Sequence, residues 1–254
     1  MKLEFDEKAW QALLKKSLKA KSAPEPDPFD PITQVVFSFL HWRATQTEAE
    51  DALGRIMSVM VDINELRVSN EVQIVELVGT DYPFAQERVA RMIEVLNELF
   101  VREHAVSMKS IEASAKKDQR HYLDTLPGMV PFVAARVMLL TFGGHAFPVD
   151  DRTVSLLAKG SVVHESASPG EMESILLRQV KAADTLAAYL AIQGASDRQQ
   201  KWPTDVVTAH APAVASVAAD EALKLAVSNH SQESKAAAKT TKKTKKKSSK
   251  QASA

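Results

Sequence analysis

Apolar residues recur with helical spacing along most of this chain, and no stretch sustains the strict alternation of a β-strand. The clearest stripe contains Val89, Met92, Ile93 and Leu96 at i, i+3, i+4 spacing. Thr45 and Ser168 precede two further apolar segments and predict helix starts, whereas Gly79 and Gly194 follow two others and predict helix ends. The sequence therefore predicts an all-α fold of roughly eight to ten short helices that ends near residue 200.

Changes in composition divide the chain into three parts. The segment SAPEPDPFDP, residues 22–31, contains four prolines and separates an N-terminal helix at roughly 6–20 from the rest of the chain. We expect residues 1–26 to form this helix and a proline-rich linker, and residues 27–200 to form the main domain. Residues 201–254 are rich in alanine and lysine and are predicted to be a largely disordered basic tail.

The formal net charge of zero hides a strong asymmetry. Eight lysines follow Glu233 and no acidic residue does, so residues 1–234 carry 32 acidic against 24 basic side chains, a net charge of −8. A strongly basic tail on an acidic body indicates a polyanionic partner such as nucleic acid. A solubilising segment or a localisation signal is the alternative that composition leaves open.

Several function classes are excluded by what the sequence lacks. The absence of cysteine excludes disulfides, thiolate zinc sites, iron–sulfur clusters and cysteine nucleophiles. The seven histidines are scattered and no nucleotide-binding loop motif occurs, so we expect neither a metal nor a cofactor. No apolar run is long enough for a membrane span and the N-terminus is charged, which predicts a cytoplasmic protein without a membrane partner.

The stretch LPGMVPFVAARVMLLTFGGHAFPVDDRT, residues 126–153, contains the most informative motif. Pro127 and Gly128 predict a tight turn in which Gly128 adopts a positive φ. Pro131 suits the first position of an apolar helix, and the glycines at 143–144 end that helix. A helix that starts after a glycine turn presents free backbone N–H groups, which makes this hairpin a candidate anion site.

This stretch resembles the helix-hairpin-helix signature of the endonuclease III (HhH-GPD) superfamily of DNA glycosylases. The family pattern is L-P-G-h-G-x-K-T-A, an apolar helix ending in F-G, and then V-D-T-H. The matching positions are Leu126, Pro127, Gly128, Ala134, Phe142, Gly143, Val149 and Asp150. The segments DPFDPITQVVFSFLHWRAT and LAAYLAIQG also resemble the family, so the resemblance covers roughly residues 27–195. It implies two helical subdomains with a cleft between them, in which residues 45–145 carry the hairpin and residues 27–44 pack with 150–195.

The sequence departs from the family at positions that matter for chemistry. The family's catalytic lysine falls on Phe132, which cannot act as an amine nucleophile. The second glycine of the hairpin is Val130, and Pro131 lacks an N–H that could bind a phosphate. The family's glutamine of S-A-Q-A-T falls on Arg43, and its four-cysteine iron–sulfur loop is absent.

The resemblance implies a monofunctional DNA N-glycosylase that removes a damaged or mismatched base. In that hypothesis Asp150 stabilises the positive charge that develops on the sugar, while Phe132, Arg43 and Trp42 line the substrate pocket. Its partner is double-stranded DNA, and we expect a monomer associated with the nucleoid. The residues expected to bind DNA are Pro127, Gly128, Met129, Val130, Lys242, Lys243, Lys245, Lys246 and Lys247.

Each of these residues also has a structural interpretation. Asp150 can simply cap the next helix by accepting from the N–H groups of residues 152–153, and Asp151 can stabilise the first turn or pair with Arg152. Phe132 and Trp42 can be ordinary core residues. Two other functions stay open at this level: a non-catalytic DNA-binding relative that uses the lysine-rich tail, and a purely structural helical scaffold.

Overall fold

A computed structural model describes residues 5–20 and 29–199 of the chain. Within these ranges the backbone forms twelve α-helices and one 3₁₀ turn without any β-strand, which confirms the predicted all-α fold. The helices are α1 (Glu7–Lys19), α2 (Pro31–His41), α3 (Gln46–Val59), α4 (Ile63–Val68), α5 (Glu71–Val78), α6 (Ala85–Glu103), α7 (Lys109–Glu112), α8 (Lys116–Asp124), α9 (Pro131–Leu140), α10 (Asp151–Lys159), α11 (Pro169–Gln179) and α12 (Thr185–Asp197). The 3₁₀ turn (Ala182–Asp184) directly precedes α12.

Side-chain caps explain where several helices begin. Thr45 and Glu48 form a reciprocal capping box at the start of α3, and Ser168 and Glu171 form another at α11. Such a cap stabilises a helix by about 1 kcal/mol because it satisfies N–H groups that lack a partner in the first turn. Both starts lie where the sequence predicts them.

Glycine ends one helix as predicted but not another. Gly79 follows α5 with a φ of 114°, a conformation that side chains with a Cβ rarely adopt. Gly194, by contrast, lies inside α12, which continues to Asp197. Gly194 is buried in a helix that packs against α1 and α10, so tertiary packing offsets the helix penalty of glycine, about 1 kcal/mol relative to alanine.

The helices pack as two groups. The first group contains α3 to α9, and α2 packs within it against α3, α6 and α9. The second group contains α1, α10, α11 and α12. The resemblance implies that residues 27–44 pack with 150–195, whereas the structure places α2 mainly against the first group. Because Phe37, Phe39 and Leu40 of α2 are fully buried, this helix needs apolar neighbours on several sides, and three helices supply them.

The N-terminal helix α1 packs on the second group. Trp10 is fully buried, and its ring meets Phe147 edge-on with 6.3 Å between the centroids. The backbone N–H of Asp6 donates to the carbonyl of Val162 at 2.9 Å. Burial of an aromatic side chain of this size stabilises the fold by about 2 kcal/mol or more. The helix is therefore part of the folded unit and not an independent arm.

The predicted domain boundaries stay predictions. The described residues all lie in one compact unit, which spans both sides of the boundary predicted at residue 26. The tail predicted at 201–254, with its five candidate DNA-binding lysines, lies outside the described residues.

Candidate active site

Asp150 lies at the N-terminus of α10, where the two helix groups meet. Its Oδ1 accepts hydrogen bonds from the backbone N–H and the hydroxyl of Thr153, both at 2.9 Å. Its Oδ2 accepts a third from the backbone N–H of Arg43 at 3.0 Å. Only 5% of Asp150 is exposed. Asp150 is thus a helix cap, and the same three bonds hold its carboxylate in one orientation.

Arg43 reaches this carboxylate through an unusual backbone conformation. It follows α2 with a φ of 60°, and the nearby Phe84 has a φ of 55°. The Arg43 guanidinium carbon lies 4.6 Å from the centroid of the Trp42 ring and 4.4 Å from that of Phe84. Left-handed backbone at residues other than glycine costs of order 1 kcal/mol or more and concentrates at functional sites. Two such residues meet next to Asp150.

The aromatic residues expected in the substrate pocket are buried. Trp42 stacks on Phe84 with 6.4 Å between the ring centroids. Phe132, in the first turn of α9, is 4% exposed and stacks on His41 with 5.9 Å between centroids and 9° between planes. In this conformation Trp42 and Phe132 are therefore core residues, as the structural interpretation of both allows.

The ion pairs at the start of α10 differ from those expected. Asp151 pairs with the Nε of Arg43, and not with its neighbour Arg152. Arg152 instead lies 3.2 Å from Oδ1 of Asp197 in α12. The side chains of Arg43 and Asp151 are 18% and 33% exposed, so this pair lies nearer the surface than Asp150 does. Of the two roles considered for Asp151, its place in the first turn of α10 is the one that the structure shows; the pair with Arg152 does not form, because tertiary packing turns the two side chains toward different partners.

A buried polar network that the sequence analysis missed lies behind Phe132. The amide nitrogen of Gln193 donates to Nε2 of His41 and to Oε1 of Gln46, both at 2.9 Å. Because an amide nitrogen only donates, Nε2 of His41 is the acceptor in this arrangement. Burial holds the pKa of His41 well below its ordinary value. Nearby arginines, of which Arg136 has the largest effect, lower this pKa further. A histidine on an apolar helix gives no sequence signal for partners that lie in α3 and α12.

Arg88 was also missed, and it fixes the end of α2 that carries Trp42 and Arg43. Its Nη1 donates to the carbonyl of Leu40 at 2.8 Å, and the hydroxyl of Tyr82 donates to the same carbonyl at 2.7 Å. Burial lowers the pKa of Arg88 to about 10, and no ion pair with a described carboxylate offsets it. An arginine inside the apolar stripe of α6 is the sequence signal that could have identified this residue.

The hairpin turn contains the glycine that its geometry requires. Gly128 has a φ of 77°, and a Cβ placed there would lie 2.7 Å from Oε2 of Glu94 and 2.9 Å from the carbonyl oxygen of Arg91. Val130 is buried and Pro131 starts α9. The Glu94 carboxylate beside the turn opposes the approach of a phosphate. Because of this carboxylate, the hairpin is a weaker anion site than the family pattern implies.

The other residues expected to bind DNA are divided between the hairpin and the tail. Pro127 is exposed, and Met129 is half-buried with its N–H donating to the carbonyl of Leu126 at 3.1 Å. The lysines from Lys242 to Lys247 lie outside the described residues. The backbone N–H of Arg43 is hydrogen-bonded to Asp150. Among the described residues, the side chains of Arg43 and Asp150 form no hydrogen bond with a residue of the hairpin turn.

The part of the chain that the structure describes contains no cluster of three or more acidic or histidine side chains suited to a metal ion. In the same residues, no helix combines the length and apolar character needed to cross a membrane.

A surface groove of about 470 Å³ lies at the start of α2, the opposite end from Trp42. It is lined in part by Ile32, Ile63, Phe100 and Val106.

Comparison with known proteins identifies the fold. Neither a protein-family model nor a curated protein gives a significant match to the sequence. A trapped endonuclease III–DNA covalent intermediate matches with a TM-score of 0.59 and 12% identity over 75% of this chain and 85% of that one. The H. pylori 3-methyladenine DNA glycosylase bound to 1,N6-ethenoadenine matches with a TM-score of 0.55 and 13% identity over 78% and 98%.

A third structure, the Clostridium acetobutylicum 8-oxoguanine glycosylase/lyase with double-stranded DNA, matches with a TM-score of 0.54 and 17% identity, over 74% of this chain and 68% of that one. Similarity at this level of identity shows the fold alone. The chain therefore has the fold of the helix-hairpin-helix (HhH-GPD) DNA glycosylases, as its motifs predict.

Proposed function

We propose that this protein is a monofunctional DNA N-glycosylase that removes a damaged or mismatched base from double-stranded DNA in base-excision repair. The three solved structures compared above contain DNA or a modified base, which supports DNA as the partner. The observation that carries the proposal is the Asp150 carboxylate, held at the junction of the two helix groups by Thr153 and by the Arg43 amide. A fixed negative charge at this position suits the chemistry of base removal.

Base removal builds positive charge on the deoxyribose as the glycosidic bond breaks. A carboxylate offers about four accepting positions, and three of those on Asp150 are occupied in the structure. One position on Oδ2 is left to orient a water molecule or to face the sugar. The cap and the catalytic role are therefore compatible, because the bonds that cap α10 also prevent the charge from rotating away.

The proposed chemistry stops at base removal. Strand cleavage in the bifunctional members of the family requires an amine that forms a Schiff base with the sugar. Phe132 stands at that position and is 4% exposed in the first turn of α9. Hydrolysis by water, assisted by Asp150, is then the reaction that these side chains can support.

Contact with the DNA backbone would come mainly from outside the acidic body. Residues 1–234 carry a net charge of −8, while the tail carries eight lysines, so we assign the sequence-independent phosphate contacts to Lys242, Lys243, Lys245, Lys246 and Lys247. A monomer associated with the nucleoid in the cytoplasm fits this arrangement. The target base has to leave the DNA helix to reach Asp150, which requires Phe132 to move and Asp151 to separate from Arg43.

A non-catalytic DNA-binding relative is the second candidate, and specific observations favour it. Asp150 is 5% exposed and already serves as a cap, and Phe132 fills the space in front of His41. Glu94 beside Gly128 also weakens the hairpin as a phosphate site. In this alternative the fold positions the protein on DNA and the lysine-rich tail supplies the affinity.

Excision by the full-length chain on a panel of lesion-containing duplexes tests the proposal. Wild type should release a base from at least one duplex and leave an alkali-labile abasic site without cutting the strand. Asp150→Asn should abolish release while duplex binding persists, because the amide keeps the shape and loses the charge. The control, Glu71→Gln, removes an exposed carboxylate from the first turn of α5, a helix without site residues, and should retain excision.

Borohydride trapping distinguishes the monofunctional reaction from the lyase reaction. Wild type should give no covalent protein–DNA adduct, in contrast to the trapped intermediate known for endonuclease III. A strong adduct would overturn the monofunctional assignment. Binding without release from any duplex would instead favour the non-catalytic relative.

A further inference from the structure

The guanidinium of Arg43 is only partly used within the protein. Its Nε donates to Oδ2 of Asp151, and neither Nη group donates to an acceptor among the described residues. An arginine fork has five N–H donors and prefers two parallel bonds to a carboxylate or a phosphate. The hydrogen bond to Asp151 is single, so most of the donor capacity of Arg43 has no acceptor among the described residues.

The position of this guanidinium is set before any ligand arrives. The backbone of Arg43 is held by the bond from its N–H to Asp150, at 3.0 Å, in a left-handed conformation. The side chain lies against the rings of Trp42 and Phe84, with its central carbon 4.6 and 4.4 Å from the two centroids. Aromatic faces attract a cation and leave its edge free for hydrogen bonding. Arg43 is therefore a preorganised cation next to Asp150.

We propose that Arg43 binds a phosphate of the DNA backbone, and that Asp151 occupies this phosphate site in the free protein. This inference rests on the proposed function in one respect, that the protein binds duplex DNA. On binding, a phosphodiester replaces the Asp151 carboxylate and accepts from the fork of Arg43. The site contacts the strand next to the carboxylate of Asp150, so phosphate binding and access to Asp150 are coupled.

Two features allow this exchange at low cost. The side chains of the pair are 18% and 33% exposed, and ion pairs that water reaches contribute little to stability. The released Asp151 stays in the first turn of α10, where the positive end of the helix dipole stabilises its charge. A phosphate offers the guanidinium two acceptor oxygens, whereas Asp151 contributes one contact.

Duplex binding by the full-length chain, measured by fluorescence anisotropy across a series of salt concentrations, tests the proposal. Asp151→Asn should tighten binding by up to about fivefold at each salt concentration, because the phosphate no longer displaces a resident carboxylate. Arg43→Gln should weaken binding and reduce the slope of log K against log salt by about 0.9, the value for one lost phosphate contact.

The double variant separates exchange at Arg43 from general charge repulsion. If Asp151 acts by occupying Arg43, then Asp151→Asn should give little gain when Arg43→Gln is already present. Glu71→Gln serves as the control, because it removes an exposed first-turn acid from α5, a helix without site residues. Its effect on affinity should be smaller than that of Asp151→Asn.

Two results would overturn the proposal. One is an unchanged affinity for Asp151→Asn, and the other is a gain of equal size with and without Arg43. Either result, obtained with a wild type that binds and excises normally, leaves the proposed function intact. Wild type that fails to bind duplex DNA at any salt concentration refutes the phosphate site and the proposed function together.

Discussion

The carboxylate of Asp150 accepts a hydrogen bond from the backbone N–H of Arg43, a residue 107 positions earlier in the chain, at 3.0 Å. This bond joins the loop after α2 to the start of α10, and therefore the first helix group to the second. The same carboxylate caps α10 through Thr153. One side chain thus serves helix capping, tertiary structure and, in the proposed function, catalysis.

Asp150→Asn should cost more stability than a simple cap replacement. Asparagine caps helices about as well as aspartate, but it has one acceptor oxygen where Asp150 uses two. The side-chain amide nitrogen would face an N–H donor of Arg43 or of Thr153, and two donors cannot form a hydrogen bond with each other. We expect a loss of about 1–2 kcal/mol in the free energy of unfolding, measured in urea. Asp151→Asn, which breaks only a partly exposed pair, should lose less than about 1 kcal/mol; equal losses would contradict this.

Phe132→Lys should destabilise the protein and should not create a lyase. The site is 4% exposed and faces His41, whose low pKa already reflects burial and nearby arginines. An unpaired ammonium placed there should lower the free energy of unfolding by about 3 kcal/mol or more. Phe132→Leu, which keeps the site apolar, should lose roughly half as much. A stable lysine variant that forms a borohydride adduct would show that the pocket opens readily.

Arg88→Met should weaken the end of α2. The substitution keeps a long apolar side chain but removes the Arg88 donor from the buried carbonyls of Phe39 and Leu40, and the Leu40 carbonyl then keeps only the hydroxyl of Tyr82. We expect a loss of about 2–4 kcal/mol, measured by chemical unfolding. Arg55→Met removes an arginine with more exposed bonds to the carbonyls of Leu77 and Val78, and should cost less.

The stability of the folded protein should fall as the pH drops below about 6.5, the ordinary pKa of histidine. The pKa of His41 is lowered in the folded state, so below pH 6.5 the unfolded chain binds a proton that the folded protein does not. The free energy of unfolding should fall by up to about 1.4 kcal/mol per pH unit from this one residue. His41→Phe should flatten the curve between pH 5 and 7, and a variant whose stability keeps the wild-type pH dependence in this range would contradict the assignment to His41.

Removal of residues 231–254 should reduce the salt sensitivity of DNA binding. Each lysine–phosphate contact that is lost should decrease the slope of log K against log salt by about 0.9 in magnitude. The remaining body is acidic, so its affinity for any duplex should also fall. Binding by the shortened chain with an unchanged slope would mean that the tail is not a DNA-binding element.

Local signals in the sequence were sufficient for the helices and for the motif. Thr45 and Ser168 cap helices where the sequence predicts helix starts, and Gly128 takes the positive φ that its turn requires. Asp150 caps α10, one of the two roles considered for it. Interactions of this kind join residues at most four positions apart, so the order of residues alone is enough to predict them.

The tertiary structure decided which side chains meet. Arg43 is hydrogen-bonded to Asp151, which lies 108 positions away in the sequence. Arg88 is bonded to Leu40, 48 positions away, and Gln193 to His41, 152 positions away. The sequence could name Arg43, Phe132 and Asp150 through a family pattern, but it could not show that Phe132 is buried or that Arg43 holds a carboxylate. Those outcomes depend on how two helix groups pack, because packing brings together donors and acceptors that are unrelated along the chain.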